Sequence, residues 1–169
     1  MMKKDRIVYF AIPIFFLLML IDAHLTRAFL TFSNGAYIWN VHLLLLSFMF
    51  GAQVFSKRYM IITSLVLGII FDLYYIGVLG IYAIVLPLLV WAMYLLYDTL
   101  FENPFTMFFG MIILVTLQEL ATAGIQLLFH LTTINGAFFV ARFLGPTLLI
   151  NIGLFVLAYF PFKKLFAIE

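Results

Sequence analysis

The sequence predicts an all-α polytopic membrane protein, a bundle of six transmembrane helices that forms one domain over residues 1–169. Two observations support this prediction. First, 67% of the 169 residues are hydrophobic and only 9% are charged, whereas soluble domains average about half apolar and a quarter charged. Second, six apolar runs of about 17 to 25 residues, the length that crosses a bilayer, take up most of the chain. No room remains for an independent soluble domain.

The predicted spans follow one another with short connections, and charged residues, Gly, Pro or Asn mark their ends. The first is expected to be an uncleaved helix, because no small-residue cleavage pattern follows it. Only two glycines and the residues between them, at positions 77–80, separate the third span from the fourth. The spans cover about residues 7–26, 37–55, 60–79, 81–97, 105–129 and 138–160.

The basic residues predict the orientation of the chain. If the spans alternate, seven of the nine Lys and Arg residues fall on one side of the membrane, and such residues are enriched on the cytoplasmic side. We therefore expect a multi-pass protein of the plasma membrane with both termini in the cytoplasm and Arg27 and Arg142 toward the other side. The seven residues are Lys3, Lys4, Arg6, Lys57, Arg58, Lys163 and Lys164.

Composition and motifs exclude several functions. Without cysteine, the chain has no disulfide, thiolate nucleophile or cysteine metal site. A net charge of +2 gives no basic footprint for nucleic acid. The metalloprotease, hydrolase, phosphate-loop and dinucleotide-binding patterns are absent, and the three histidines lie on three separate elements. We expect no catalytic residue, metal or cofactor, and no enzyme activity.

A carboxylate lies deep in the third span. Ser64, Gly68, Asp72 and Tyr75 share one helix face. A charged side chain in the bilayer is costly, so Asp72 should face protein or water, and Gly68 one turn away permits close approach of another helix. Two alternatives stay open, a packing face in which Asp72 joins two helices and a site for a proton, a ligand or energy coupling.

The fifth span carries a longer polar stripe. Thr116, Glu119, Ala123, Gln126 and His130 advance by three or four residues at each step, so they share a face. That face should meet the bundle interior, a partner helix or a wet cavity, with Glu119, Gln126 and His130 as candidate cavity residues.

Four further polar residues lie in the first, second and sixth predicted spans. Arg142, the fourth candidate cavity residue, is predicted either to snorkel at the interface or to pair with Glu119 or Asp72. Asp22 and His24 are expected to be boundary residues, and the pattern around His42 is too weak to assign it a role.

The stretch from Gly68 to Ala83 resembles a known family. It reads Gly-Ile-Ile-Phe-Asp-Leu-Tyr-Tyr-Ile-Gly-Val-Leu-Gly-Ile-Tyr-Ala, with a Gly-x-x-x-Asp step and two glycines at a short turn. In a six-span chain with basic ends, this segment resembles the rod shape-determining protein MreD family. Gly68, Asp72, Gly77 and Gly80 match the family's segment, and they are the candidate residues for helix packing or partner binding.

The resemblance implies a component of the bacterial elongation machinery in the inner membrane. It implies an MreC-type bitopic partner and, more indirectly, the glycosyltransferase and transpeptidase that build lateral wall. It also implies a bundle like the substrate-binding subunits of energy-coupling-factor transporters. Two functions stay open, a noncatalytic scaffold that regulates cell shape and peptidoglycan synthesis, and a substrate-binding subunit of a vitamin-type transporter. The first span offers only Ala11 and Ala23 and lacks the Ala-rich docking stripe expected of such a transporter subunit, which counts against that function.

Overall fold

The chain folds into helices joined by short turns. The computed structural model describes residues 4–133, 135–166 and 168, with side chains from residue 10 onward. Within that part of the chain no strand forms, so the all-helical prediction is confirmed. The helices are α1 (Lys4–Phe32), α2 (Leu43–Ala52), α3 (Lys57–Phe71), α4 (Ile81–Leu95), α5 (Tyr97–Leu100), α6 (Pro104–Leu128), α7 (Gly136–Phe139) and α8 (Gly145–Leu165).

Two π-helical turns extend these helices. Asp72–Ile76 continues α3, and Val140–Leu144 joins α7 to α8. Among the described residues, four helical stretches are long and apolar enough to cross a membrane. They are Phe10–Phe32, Lys57–Ile76, Pro104–Leu128 and Gly136–Leu165. The helices α2 and α4 are apolar but shorter, with 10 and 15 residues, so the count of six spans stays a prediction.

The second predicted span differs most from the structure. Residues 37–55 were expected to form one helix, but α2 covers only Leu43–Ala52. Residues 38–42, here called the 38–42 segment, adopt no regular secondary structure. Side chains of α1 and α8 accept hydrogen bonds from the backbone N–H groups of Asn40, Val41 and His42. Hydropathy does not distinguish an apolar helix from an apolar segment whose backbone is paired in this way.

Side chains next to the helix ends explain where two of the long helices begin. The Ser56 hydroxyl accepts a hydrogen bond from the Tyr59 N–H at the start of α3. Asn103 caps α6 by accepting from the N–H groups of Phe105 and Thr106, and Pro104 follows at the first helical position. Such caps satisfy N–H groups that have no partner within the helix.

The short helix α2 lies at the centre of the bundle. Nine of its ten residues are buried, and α1, α3, α4, α6 and α8 all contact it. Phenylalanine fills much of the core around it, with Phe15, Phe48 and Phe50 at most 1% exposed. Large apolar side chains on the outer faces of the helices are exposed, as expected for surfaces that meet lipid.

Candidate functional site: two groups of buried polar residues

The first group surrounds Asp72 at the turn between α3 and α4. Asp72 is completely buried. Its Oδ2 accepts hydrogen bonds from the backbone N–H groups of Gly80 at 2.9 Å and Ala83 at 3.0 Å, and its Oδ1 accepts from that of Tyr82 at 2.9 Å. The first N–H groups of a helix have no partner within it, and a carboxylate there is electrostatically favourable. Asp72 therefore caps α4 from the neighbouring helix.

The three motif glycines lie at the same turn. A Cβ at Gly68 would come within 2.5 Å of the Tyr82 carbonyl oxygen and 2.8 Å of the Ala83 Cα, so only glycine allows this approach of α3 to α4. Gly77 and Gly80 have φ angles of +74° and +114°, which glycine adopts without strain. The structure thus brings Gly68, Gly77 and Gly80 together with Asp72 in an intramolecular contact.

Asp22 caps α2 as Asp72 caps α4. Its two carboxylate oxygens accept hydrogen bonds from the N–H groups of Leu43 and Leu44, both at 2.8 Å. Asp22, which the sequence places near a span boundary, is only 7% exposed, whereas His24 is exposed. An acid near the end of an apolar run can lie inside the bundle when a following helix begins beside it.

The second group holds the 38–42 segment against α1 and α8. Thr26 Oγ1 accepts from the Val41 N–H at 2.9 Å, and Thr147 Oγ1 accepts from the Asn40 N–H at 3.1 Å. Asn151 bonds two backbone groups of the segment. Its Oδ1 accepts from the His42 N–H at 2.8 Å, and its Nδ2 donates to the Asn40 carbonyl at 2.7 Å. These side chains replace the hydrogen bonds that a helix would have supplied.

Glu119 on α6 completes this second group. Its carboxylate accepts hydrogen bonds from Asn40 Nδ2 at 2.9 and 3.1 Å and contacts His42 Nε2 at 2.7 Å. On the other side of the ring, Gln118 Nε2 lies 3.2 Å from His42 Nδ1. These contacts fit a neutral imidazole that donates from Nε2 to Glu119 and accepts at Nδ1 from Gln118. We call Asn40, His42, Gln118, Glu119, Thr147 and Asn151 the central polar cluster.

The other candidate cavity residues lie outside this cluster. Gln126 is half-buried, and His130 is exposed beyond the end of α6, with a φ angle of +53°. Arg142 donates from Nη1 to the Ala36 carbonyl at 3.4 Å and lies 5.2 Å from the centre of the Phe138 ring. In the described part of the chain, the one ion-pair contact joins His42 and Glu119, so Arg142 pairs with neither acid considered for it.

Sequence reasoning missed most of the central polar cluster. The pattern around His42 assigns it no role, and Asn40, Gln118, Thr147 and Asn151 are not among the residues that the sequence predicts for a site. A usable signal exists for two of them, because Thr147 and Asn151 lie one helical turn apart in an apolar helix. Polar residues at such positions bond to other parts of the protein, since lipid offers no partner.

The arrangement stabilises backbone groups and shows no metal-binding geometry. Among the described residues, no group of three or more His, Cys, Asp or Glu side chains could hold a metal ion. The oxygens of Asp22 and Asp72 accept from backbone N–H groups, and the carboxylate of Glu119 bonds side chains of the 38–42 segment. The three buried acids therefore hold elements of the fold in place.

Comparison with known proteins places the chain in a family. It is 26% identical over 157 residues, 93% of each chain, to the cell shape-determining protein MreD of Streptococcus pneumoniae (strain ATCC BAA-255 / R6). It is 29% identical over 125 residues to the rod shape-determining protein MreD of Bacillus subtilis (strain 168), covering 73% of this chain and 72% of the relative. No solved structure matches the chain. The family model of the rod shape-determining protein MreD matches residues 4–168, and the chain therefore belongs to the MreD family.

Proposed function

We propose that this protein is a noncatalytic membrane scaffold that regulates cell shape and lateral peptidoglycan synthesis. Family membership supports a role in determining cell shape. The scaffold binds an MreC-type bitopic protein directly and acts on the elongation glycosyltransferase and transpeptidase through it. One observation supports the noncatalytic part of the proposal, namely that each of the three buried acids that the structure describes bonds backbone or side-chain groups of the fold.

The orientation of the chain in the membrane, and the similarity of its fold to energy-coupling-factor subunits, belong to the same proposal. The distribution of basic residues favours six spans with both termini in the cytoplasm. The resemblance to the MreD family also leads us to propose a bundle like that of the energy-coupling-factor substrate-binding subunits. Reporter fusions at each connection test the topology, and a cytoplasmic connection between α6 and α7 would contradict it.

The partner helix is proposed to bind an exposed face of α8. Leu149, Gly153, Val156 and Phe160 follow one another by three or four residues and share a face. The three large side chains are 64% to 75% exposed, and a Cβ added at Gly153 would meet nothing within 4 Å. Small residues between large apolar ones allow two membrane helices to approach closely. Gly68 cannot serve this purpose, because α4 already occupies the space above it.

Cysteine crosslinking in cells tests this contact. The chain has no cysteine of its own, so one introduced thiol gives an unambiguous adduct. We expect Gly153→Cys to crosslink to a cysteine in the membrane helix of the MreC-type protein. Leu88→Cys on α4, where Leu88 is 57% exposed, is the matched control and should give no adduct. Adducts at Leu88 but none at Gly153 would place the partner elsewhere.

A bulky substitution provides an independent test of the same face. Gly153→Leu should prevent co-purification of the partner and make elongated cells rounder, while Gly153→Ala should have a smaller effect. Neither variant should lower the thermal stability of the wild type, because the added atoms enter open space. Normal cell shape together with normal partner binding in Gly153→Leu would contradict docking at this face.

The alternative function is a substrate-binding subunit of a vitamin-type transporter. That hypothesis needs polar groups of the stripe on α6 to be available to a ligand. Glu119 instead bonds Asn40 and His42, while Gln126 and His130 lie outside the central polar cluster. Loss of vitamin uptake with unaltered cell shape after depletion of the protein would favour the transporter over the scaffold.

A further inference from the structure

A cavity of about 260 Å³ lies between α1, the 38–42 segment, α4 and α6. Most of its wall is apolar, and we call it the polar cavity because several polar side chains also line it. Asp22 and Thr26 line it from α1, Asn40 and His42 line it from the segment, and Gln118 lines it from α6. Its volume is many times the roughly 30 Å³ that one water molecule occupies in the liquid. The cavity can therefore hold a chemical group much larger than a single water.

One atom on the wall of this cavity lacks a hydrogen bond. Gln118 is only 2% exposed, and within the described part of the chain its Oε1 is the one buried side-chain polar atom without a partner. Other polar groups around the cavity are engaged, because Asp22 caps α2 and the His42 ring contacts Glu119. Buried polar atoms in native proteins are nearly always satisfied. A hydroxyl or amine donor inside the cavity would satisfy this one. Tyr82, which also lines the cavity, contacts the Gln118 side chain.

The polar cavity adjoins an apolar groove between α1 and α3. The groove has a volume of about 590 Å³ and shares Met19 and Tyr75 with the cavity. Phe16 and Ile70 form its two walls, and Tyr74 on its rim is 81% exposed. The groove is thus open to the surroundings on the side of Tyr74.

A cation lies at the entrance of the polar cavity. Arg27 is exposed, lines the cavity and forms no ion pair with any residue that the structure describes. Guanidinium groups bind phosphate with good geometry. An unpaired acceptor inside, a cation at the entrance and an apolar groove alongside together match an amphiphile with a hydroxylated phosphate headgroup. A water-soluble molecule would leave the groove unfilled.

We propose that the cavity and groove bind one phospholipid with a hydroxylated headgroup, of the phosphatidylglycerol type, from the leaflet at the C-terminal end of α1. A headgroup hydroxyl donates to Gln118 Oε1, the phosphate contacts Arg27, and one acyl chain lies between Phe16 and Ile70. This site is separate from the α8 face proposed for the partner protein.

Lipid binding to the purified full-length protein tests the proposal. After removal of bound lipid, phosphatidylglycerol should bind one molecule per chain in native mass spectrometry and raise the thermal midpoint in detergent. Phosphatidylcholine, which lacks the hydroxyls, should bind roughly tenfold more weakly, since it loses the bond to Gln118 and carries no net negative charge. Glycerol phosphate without acyl chains should neither bind nor stabilise. Equal binding of the two lipids, or stabilisation by glycerol phosphate alone, would overturn the assignment.

Two variants with matched controls locate the site. Gln118→Leu should weaken phosphatidylglycerol binding about five- to tenfold, while Gln126→Leu, on the same helix but outside the cavity, should not. Ile70→Trp should fill the groove and abolish binding, whereas Ile84→Trp on the exposed face of α4 should leave it unchanged. Because Ile70→Trp leaves the central polar cluster intact, it tests the site even where Gln118→Leu folds poorly. Wild-type affinity in Ile70→Trp would show that the groove holds no acyl chain.

Discussion

Asp72 and Glu119 are both buried acids in apolar helices, but they stabilise different parts of the fold. Asp72 bonds three backbone N–H groups that lie 8 to 11 residues further along the chain. Glu119 bonds side chains of Asn40 and His42, which precede it by 79 and 77 residues. The first acid shapes one turn between adjacent helices. The second joins distant parts of the bundle.

This difference determines how much free energy of unfolding is lost when each acid is substituted. A backbone N–H cannot move away from a missing partner without unwinding its helix, whereas side chains such as Asn40 and His42 can adopt other rotamers. Mutations at Asp72 should therefore cost more free energy of unfolding than mutations at Glu119, although both residues are almost fully buried.

The largest effect is expected for Asp72→Ala. The variant leaves the N–H groups of Gly80, Tyr82 and Ala83 without an acceptor, and a buried unsatisfied group costs about 1 to 3 kcal/mol. We expect a loss of about 4 kcal/mol, measured as the free energy of unfolding in detergent micelles. Asp98→Ala is the matched control, because Asp98 is exposed and should change stability by less than about 0.5 kcal/mol. Similar losses of free energy of unfolding in the two variants would contradict the capping role of Asp72.

A smaller effect is expected for Glu119→Ala, about 2 kcal/mol, because two side-chain donors lose their acceptor but can relax. Glu119→Gln keeps one acceptor oxygen and should lose about half as much. In a Trp91→Phe background, the fluorescence of Trp39 reports directly on displacement of the 38–42 segment. Glu102→Ala, at an exposed position, is the control. An unchanged Trp39 spectrum in Glu119→Ala would mean that α1 and α8 hold the segment without α6.

The smallest effect is expected for Gly77→Ala. Its φ angle of +74° strains a residue with a Cβ, at a cost of about 1 kcal/mol, but no atom lies within 4 Å of the added methyl group. Thermal unfolding should show a lower midpoint for this variant. Gly124→Ala, equally open but inside α6, should be neutral or slightly stabilising because alanine favours helix. A neutral Gly77→Ala would indicate that the turn can relax.

The contrast between partners that are near in sequence and partners that are distant also explains which features the sequence could predict. The apolar runs predicted the long helices, and the step from Gly68 to Asp72 predicted a close helix contact or a polar site, without showing that the partners of Asp72 lie only a few residues away. The central polar cluster could not be found in this way, because its members come from the 38–42 segment, α6 and α8. Periodicity describes one helix face, but it carries no information about which distant residues meet that face. The start of α2 at Leu43 depends on Asp22, 21 residues earlier.

The hydrogen bonds of the 38–42 segment also impose an order on biogenesis. The chain leaves the ribosome from its N-terminus, so the N–H groups of Asn40 and His42 enter the membrane long before Thr147 and Asn151 have been synthesised. Their acceptors come 107 and 109 residues later. Until α8 inserts, these groups depend on water or on a membrane chaperone for hydrogen bonding. Completion of the last helix is therefore the step at which the centre of the protein closes.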